Sequence, residues 1–153
     1  MKSIVIYYSE TGNTEKVAKA IAGAVAGEIK RVEETNPDEL ADYDLIFIGT
    51  PVHGFGPSKK IEDFLDKLPQ LQGKKGAAFC TMHIGGDKTT FRIIKEKLEK
   101  KGIIFIDSFS CLGWSRLIGN FGPRIFNRGR PNEEDLRKAV EFAKKVTGLL
   151  NKK

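Results

Sequence analysis

The sequence predicts an α/β fold: a three-layer sandwich with helices on both faces of a five-stranded parallel sheet of order 2-1-3-4-5. Three observations predict it. Apolar, β-branched runs alternate with helix-period segments along all 153 residues, the pattern of repeated right-handed crossovers. Residues 3–8 and 44–50 are apolar almost throughout, as strands covered on both sides must be. Residues 28–33 (Glu-Ile-Lys-Arg-Val-Glu) alternate weakly and carry charge, as an edge strand does. Central places for the apolar pair and an edge place for the charged run give the stated order.

The elements follow in chain order. After the first strand, an Ala-rich helix spans residues 13–25 with Val17, Ala18 and Ile21 on one face. Asn36-Pro37-Asp38 marks a turn, with a short helical turn reaching Leu40. The third strand, 44–50, is expected to end at Thr50-Pro51, because proline has no N–H for a ladder. Ser58 is a candidate N-cap for a helix over 58–68. Residues 75–81 form the fourth strand. Asp87 is expected to cap the next helix, with Phe91, Ile94 and Leu98 facing inward and Lys100-Lys101-Gly102 closing it. Residues 103–111 form the fifth strand, and 112–131 are expected to be irregular, with Arg116, Arg124, Arg128 and Arg130. Pro131-Asn132-Glu133-Glu134-Asp135 starts the last helix with its acids on the positive dipole end.

Composition narrows the function classes. With 40% hydrophobic and 30% charged residues, the chain reads as one globular domain over 1–153 rather than a disordered one. No apolar run approaches the roughly 18 residues of a membrane span. The N-terminus enters a strand directly, without a signal-type apolar region, so a cytoplasmic protein is expected. Cys80 and Cys111 match no metal or redox spacing and read as buried free thiols. The net charge of +6 favours an acidic partner. Lys and Arg are spread over every helix, which argues against a specific nucleic-acid site.

In doubly wound sheets, ligands bind beyond the C-terminal strand ends at the switch point. Three loops converge there. Ser9-Glu10-Thr11-Gly12-Asn13-Thr14 opens the first helix with hydroxyls, backbone N–H groups and no Lys or Arg, so neutral donors would hold an anion. Thr50-Pro51-Val52-His53-Gly54-Phe55-Gly56 and Thr81-Met82-His83-Ile84-Gly85-Gly86 bring rings, small residues and both histidines of the chain. A phosphate tail with a flat aromatic head suits this set and describes FMN. Neither a nucleophile–base pair nor a paired-carboxylate constellation is evident, so cofactor chemistry is favoured over side-chain chemistry.

On these motifs the chain resembles the flavodoxins and short-chain flavodoxin-like FMN proteins over essentially its whole length. Ser9–Thr14 fits the family's [ST]-x-T-G-x-T phosphate loop. Asp44–Gly49 leading into Thr50-Pro51-Val52, and Gly129–Leu136 before the last helix, are further matches. The resemblance implies a flavodoxin-like fold and non-covalent FMN. Its phosphate would lie on Ser9, Thr11, Gly12, Asn13 and Thr14, and its ring between Thr50–Gly56 and Thr81–Gly86. It also implies a peptide beside flavin N5 that reorients on reduction, a change that Gly54 makes easy. The family's usual aromatic stacking pair is missing from these loops. His53 or Phe55 takes one place, and the later loop offers only Met82, His83 and Ile84.

The expected function is a single-electron carrier between redox partners, an acidic ferredoxin-like protein or a reductase among them, acting as a monomer or weak dimer. The alternative is an NAD(P)H-dependent FMN or quinone reductase on the same fold. A receiver-type signalling domain is disfavoured, since Tyr8-Ser9-Glu10 and Gly49-Thr50-Pro51 stand where its acidic residues belong.

Overall fold

A computed structural model describes residues 1–119 and 122–152 of the chain. Its central sheet contains β1 (Ser3–Tyr7), β2 (Glu28–Arg31), β3 (Leu45–His53), β4 (Gly56–Pro57), β5 (Lys75–Met82) and β6 (Ile104–Leu112). The path is β2-β1-β3-β5-β6, all parallel, with the two-residue β4 antiparallel on β3. This is the predicted 2-1-3-4-5 order once β4 is counted. Helices α1 (Asn13–Val25) and α4 (Glu133–Asn151) cover one face, and α2 (Lys59–Asp66) and α3 (Asp87–Lys100) the other.

The period of two along each strand divides the core. Ile4, Ile6, Ile46 and Ile48 pack with Ile61, Leu65, Ile94 and Leu98 under α2 and α3. Val5, Tyr7, Leu45 and Phe47 pack with Val17, Ile21, Ala139 and Ala143 under α1 and α4. Every residue of β1 is buried, whereas the edge strand β2 is exposed or half-buried, as its charge requires. Gly49 permits the tightest contact of the sheet: a Cβ there would fall 2.1 Å from the Phe79 ring. Ser58 caps α2 as expected, its side chain accepting from the Ile61 N–H. Cys80 and Cys111 are free and buried. Burial pushes both thiols up, that of Cys111 to about 12.

Three local expectations are corrected. First, β3 does not stop at Thr50-Pro51 but continues to His53. Gly49 accepts from Tyr8 N–H, so the β1 side of β3 is the side that Pro51, two residues on, faces with its nitrogen. β1 ends at Tyr7 opposite Gly49, so no ladder partner misses the absent N–H. Second, Asp87 does not cap α3. Gly86 is the N-cap, at φ 93°, and makes no side-chain cap bond. A Cβ on Gly86 would meet Val52 and Phe55 at 2.7 and 2.8 Å, so the bare glycine is what lets the β3–β4 turn approach this helix. Asp87 instead accepts a hydrogen bond from Ser110 Oγ. Third, the stretch 112–131 is not irregular throughout, residues 120 and 121 lying outside the described residues. It holds an antiparallel hairpin, β7 (Ser115–Gly119) and β8 (Gly122–Phe126).

Candidate cofactor site

A cleft of about 450 Å³ opens at the C-terminal ends of β1, β3 and β5. That size lies in the ~300–1,000 Å³ range of small-molecule sites.

The phosphate loop forms one end. Gly12, at φ 88°, turns the chain into α1 without a side-chain cap. Nothing lies within 4 Å of a Cβ built on Gly12, so its positive φ, rather than space, calls for glycine. The first intrahelical bond runs from Lys16 N–H to Gly12 C=O. The N–H groups of Asn13, Thr14 and Glu15 therefore precede the ladder. Ser9 Oγ takes only that of Glu15, at 3.3 Å. The others are available to an anion in the positive field of the helix end. Thr14 Oγ1 and Thr81 Oγ1 lie 2.8 Å apart in a buried pair. Whichever of them accepts keeps its own O–H to donate. Behind the loop, Arg31 donates to Ser9 C=O at 2.9 Å, a brace that reading β2 as an ordinary charged edge strand missed.

The other end is built from the two ring-bearing loops. His53, Gly54, Phe55 and Gly56 form a two-residue hairpin turn. His53 pairs with Gly56, and Gly54 and Phe55 both have positive φ, at 54° and 64°. Pro51, Val52, His53 and Gly54 line the cleft opposite Thr81, Met82 and His83. His53 Nε2 sits 3.6 Å from Glu10 Oε1, and Tyr8 OH donates to the same carboxylate oxygen at 3.1 Å. Burial first, and then this bond to Glu10, holds the Tyr8 phenol above its usual pKa.

The structure thus gathers Glu10, Thr11, Asn13, Thr14, Pro51, Val52, His53, Gly54, Thr81, Met82 and His83 around one space. Other expected site residues stand outside that lining. Ser9 is buried beneath the loop, and Gly12 contributes only its turn. Thr50 is fully buried, its hydroxyl accepting from Ser58 N–H and donating to Pro51 C=O. Phe55 is 64% exposed, leans on Gly86 and is not among the residues that line the cleft. Gly56 sits in β4, and Gly85 and Gly86 precede α3.

A fourth wall comes from the Arg-rich stretch after β6 and not from the three loops. Gly113, Trp114, Ser115 and Arg116, at the base of the β7–β8 hairpin, also line the cleft. Asn13 Nδ2 donates to Trp114 C=O at 2.7 Å, and Trp114 N–H donates to Arg130 C=O at 2.9 Å. Asn127 Nδ2 bridges His83 C=O and Gly113 C=O at 2.8 and 3.2 Å. The one indole of the chain therefore reaches the cleft from the hairpin and not from either ring-flanking loop.

A family model described as the flavodoxin domain matches residues 4–116. The chain belongs to the flavodoxin family. A full-length relative is an uncharacterized protein of Methanocaldococcus jannaschii, 34% identical and covering 95% of this chain and 98% of its own length. An NAD(P)H dehydrogenase (quinone) of Archaeoglobus fulgidus is 29% identical, with 97% of each chain covered. The solved structure of a flavodoxin from the domain Archaea superposes with a TM-score of 0.73 at 25% identity, covering 96% of this chain and 99% of that one.

This flavodoxin-family chain binds FMN as its family membership implies, and its own residues fit that cofactor. Asn13 Oδ1 and Ser115 Oγ are buried without a hydrogen-bond partner among the described residues. Such atoms are rare unless something satisfies them, and a phosphorylated polyol carries both donors and acceptors. Among the described residues no group of His, Cys, Asp and Glu is placed to hold a metal ion. The phosphate would be held by the α1 N–H groups, Thr11 and the Thr14–Thr81 pair. The ring would lie toward Val52, His53, Gly54, Met82 and His83.

Proposed function

We propose that this protein is a single-electron carrier that docks its basic surface on an acidic redox partner. The observation that carries this reading is the composition of the cleft. Donors for an anion stand at one end, apolar and imidazole groups at the other, and among its described lining residues there is no nucleophile held by a base. When bound, FMN supplies reversible electron transfer. The chain supplies the rest. The α1 N-terminus would anchor the phosphate, Val52 and Met82 line the ring end, and Glu10 brings a carboxylate beside His53. The Glu10 carboxylate lies 3.6 Å from His53 Nε2.

A specific observation keeps a second reading in view: the Archaeoglobus fulgidus quinone dehydrogenase matches along nearly the full length of both chains. One assay separates the two. The FMN-loaded protein is mixed with NADH or NADPH and a benzoquinone, and nicotinamide oxidation is followed at 340 nm. A carrier shows no turnover above free FMN, yet its flavin is reduced once a flavodoxin reductase is added. Turnover at tens per second without a reductase would make it a quinone reductase, near the ~10 s⁻¹ typical of enzymes.

A further inference from the structure

The hairpin base brings to the cleft a hydroxyl and a cation that the phosphate-loop pattern does not contain. Ser115 Oγ is buried with no partner among the described residues, an arrangement that is unfavourable until a ligand satisfies it. Arg116 lines the same cleft as Glu10, Thr11 and Asn13. The loop itself has no Lys or Arg, and Glu10 adds a negative charge to the same wall. A phosphate dianion placed there meets neutral donors and one opposing carboxylate, so a nearby guanidinium has a strong electrostatic role.

The hairpin base is held against the phosphate loop. Asn13 lies under it, donating to Trp114 C=O at 2.7 Å. That bond fixes which way the amide points and leaves Oδ1 facing inward as an acceptor. Gly113 makes the approach possible, because a Cβ there would fall 2.6 Å from Asn13 Nδ2. Trp114 N–H to Arg130 C=O and Asn127 Nδ2 to Gly113 C=O hold the segment from the far side.

We propose that Ser115 and Arg116 belong to the cofactor site. Ser115 donates a hydrogen bond to the phosphoryl group of FMN, and Arg116 supplies the positive charge the loop lacks. Asn13 is the positioning residue that holds both in place. The inference rests on the FMN reading of the cleft, and its test separates the two. Apoprotein is titrated with FMN and with riboflavin, which has no phosphate, following quenching of flavin fluorescence. Wild type, Ser115→Ala, Arg116→Gln and Arg116→Lys are compared, with circular dichroism and thermal melting as folding controls.

Arg116→Gln and Ser115→Ala should each weaken FMN by about tenfold. Riboflavin affinity should stay within about twofold of wild type. Arg116→Lys should recover most of the loss, and Arg116→Gln should flatten the salt dependence of FMN binding. Equal losses for both flavins, or no loss for either, would overturn the assignment. So would a wild type that binds FMN with no preference over riboflavin. A wild type that binds neither flavin would overturn the cofactor reading itself.

Discussion

The phosphate loop and the hairpin base adjoin in one cleft, yet they are fastened over different chain distances. Ser9 Oγ caps Glu15 N–H only six residues on, and the loop sits directly between the buried strand β1 and α1. The hairpin base is fixed to that loop by Asn13–Trp114, a bond spanning 101 residues, and to the later ring loop by Asn127–His83, spanning 44. One wall of the site follows from a short motif beside a buried strand. The adjoining wall exists only once segments distant in sequence have met. Polar ties to a partly exposed hairpin also give less local stability than a loop seated on the core, so the two walls should respond differently to perturbation.

The largest expected effect breaks the hairpin side. Asp135 is buried, accepts from Arg130 Nε and Nη2 at 2.5 and 2.7 Å, and accepts from Asn132 N–H in the α4 capping box. Asp135→Ala should lower stability by about 2–3 kcal/mol, discounted because the Arg130 side chain is a third exposed. In hydrogen exchange the Trp114 amide, bonded to Arg130 C=O, should lose protection more than the Lys16 amide, bonded to Gly12 C=O. Equal loss at both would mean that the two walls are one cooperative unit. The same pair gives a pH signature. Burial opposes ionisation of Asp135, but the Arg130 and Asn132 hydrogen bonds outweigh it and hold the carboxyl below its usual range. A carboxylate depressed in the folded state contributes its full stability above the unfolded pKa of about 3.9. That contribution should fade as pH falls from there through the folded value, and Asp135→Asn should remove this part of the acid dependence.

A smaller effect sharpens the phosphate side. Thr14→Val leaves the Thr81 hydroxyl buried without its 2.8 Å partner. It should cost about 1–2 kcal/mol in chemical denaturation. FMN affinity should fall as well, with Trp114 exchange little changed. A variant as stable as wild type would show that the pair is not a structural tie.

The smallest effect lies at the ring end and has the opposite sign. Phe55 holds φ 64° in the β3–β4 turn while 64% exposed. Asparagine tolerates that region. Phe55→Asn should therefore stabilise the apoprotein by about 0.5–1 kcal/mol, read as a higher melting temperature. A destabilised variant would show that the ring's contact with Gly86 outweighs the backbone strain.

Much of this arrangement was legible in advance, and the exceptions share a cause. Strand order followed from contrast in apolarity between 3–8 and 28–33, because burial on two faces leaves a continuous apolar run. Pro51 misled because its cost depends on whether a neighbouring strand is present, and β1 ends opposite Gly49, two residues earlier. Asp87 looked like a cap by type, but packing against Val52 and Phe55 placed Gly86 there instead. The 112–131 stretch reads as irregular because Gly, Pro and Arg leave little period-two signal over two five-residue strands.

The amino-acid order alone determined the doubly wound sheet, the edge and central strands, and the glycine-bearing turn of Ser9–Thr14 into α1. Those features rest on hydrophobic period, backbone donors and glycine chemistry, which act over a few neighbouring residues. Only the tertiary structure decided that Thr14 and Thr81 share a hydrogen bond, that Phe55 turns away to Gly86, and that Trp114, Ser115 and Arg116 form a wall of the cleft. Each depends on a pairing of segments distant in sequence, and no local propensity encodes which distant partner a polar group will meet.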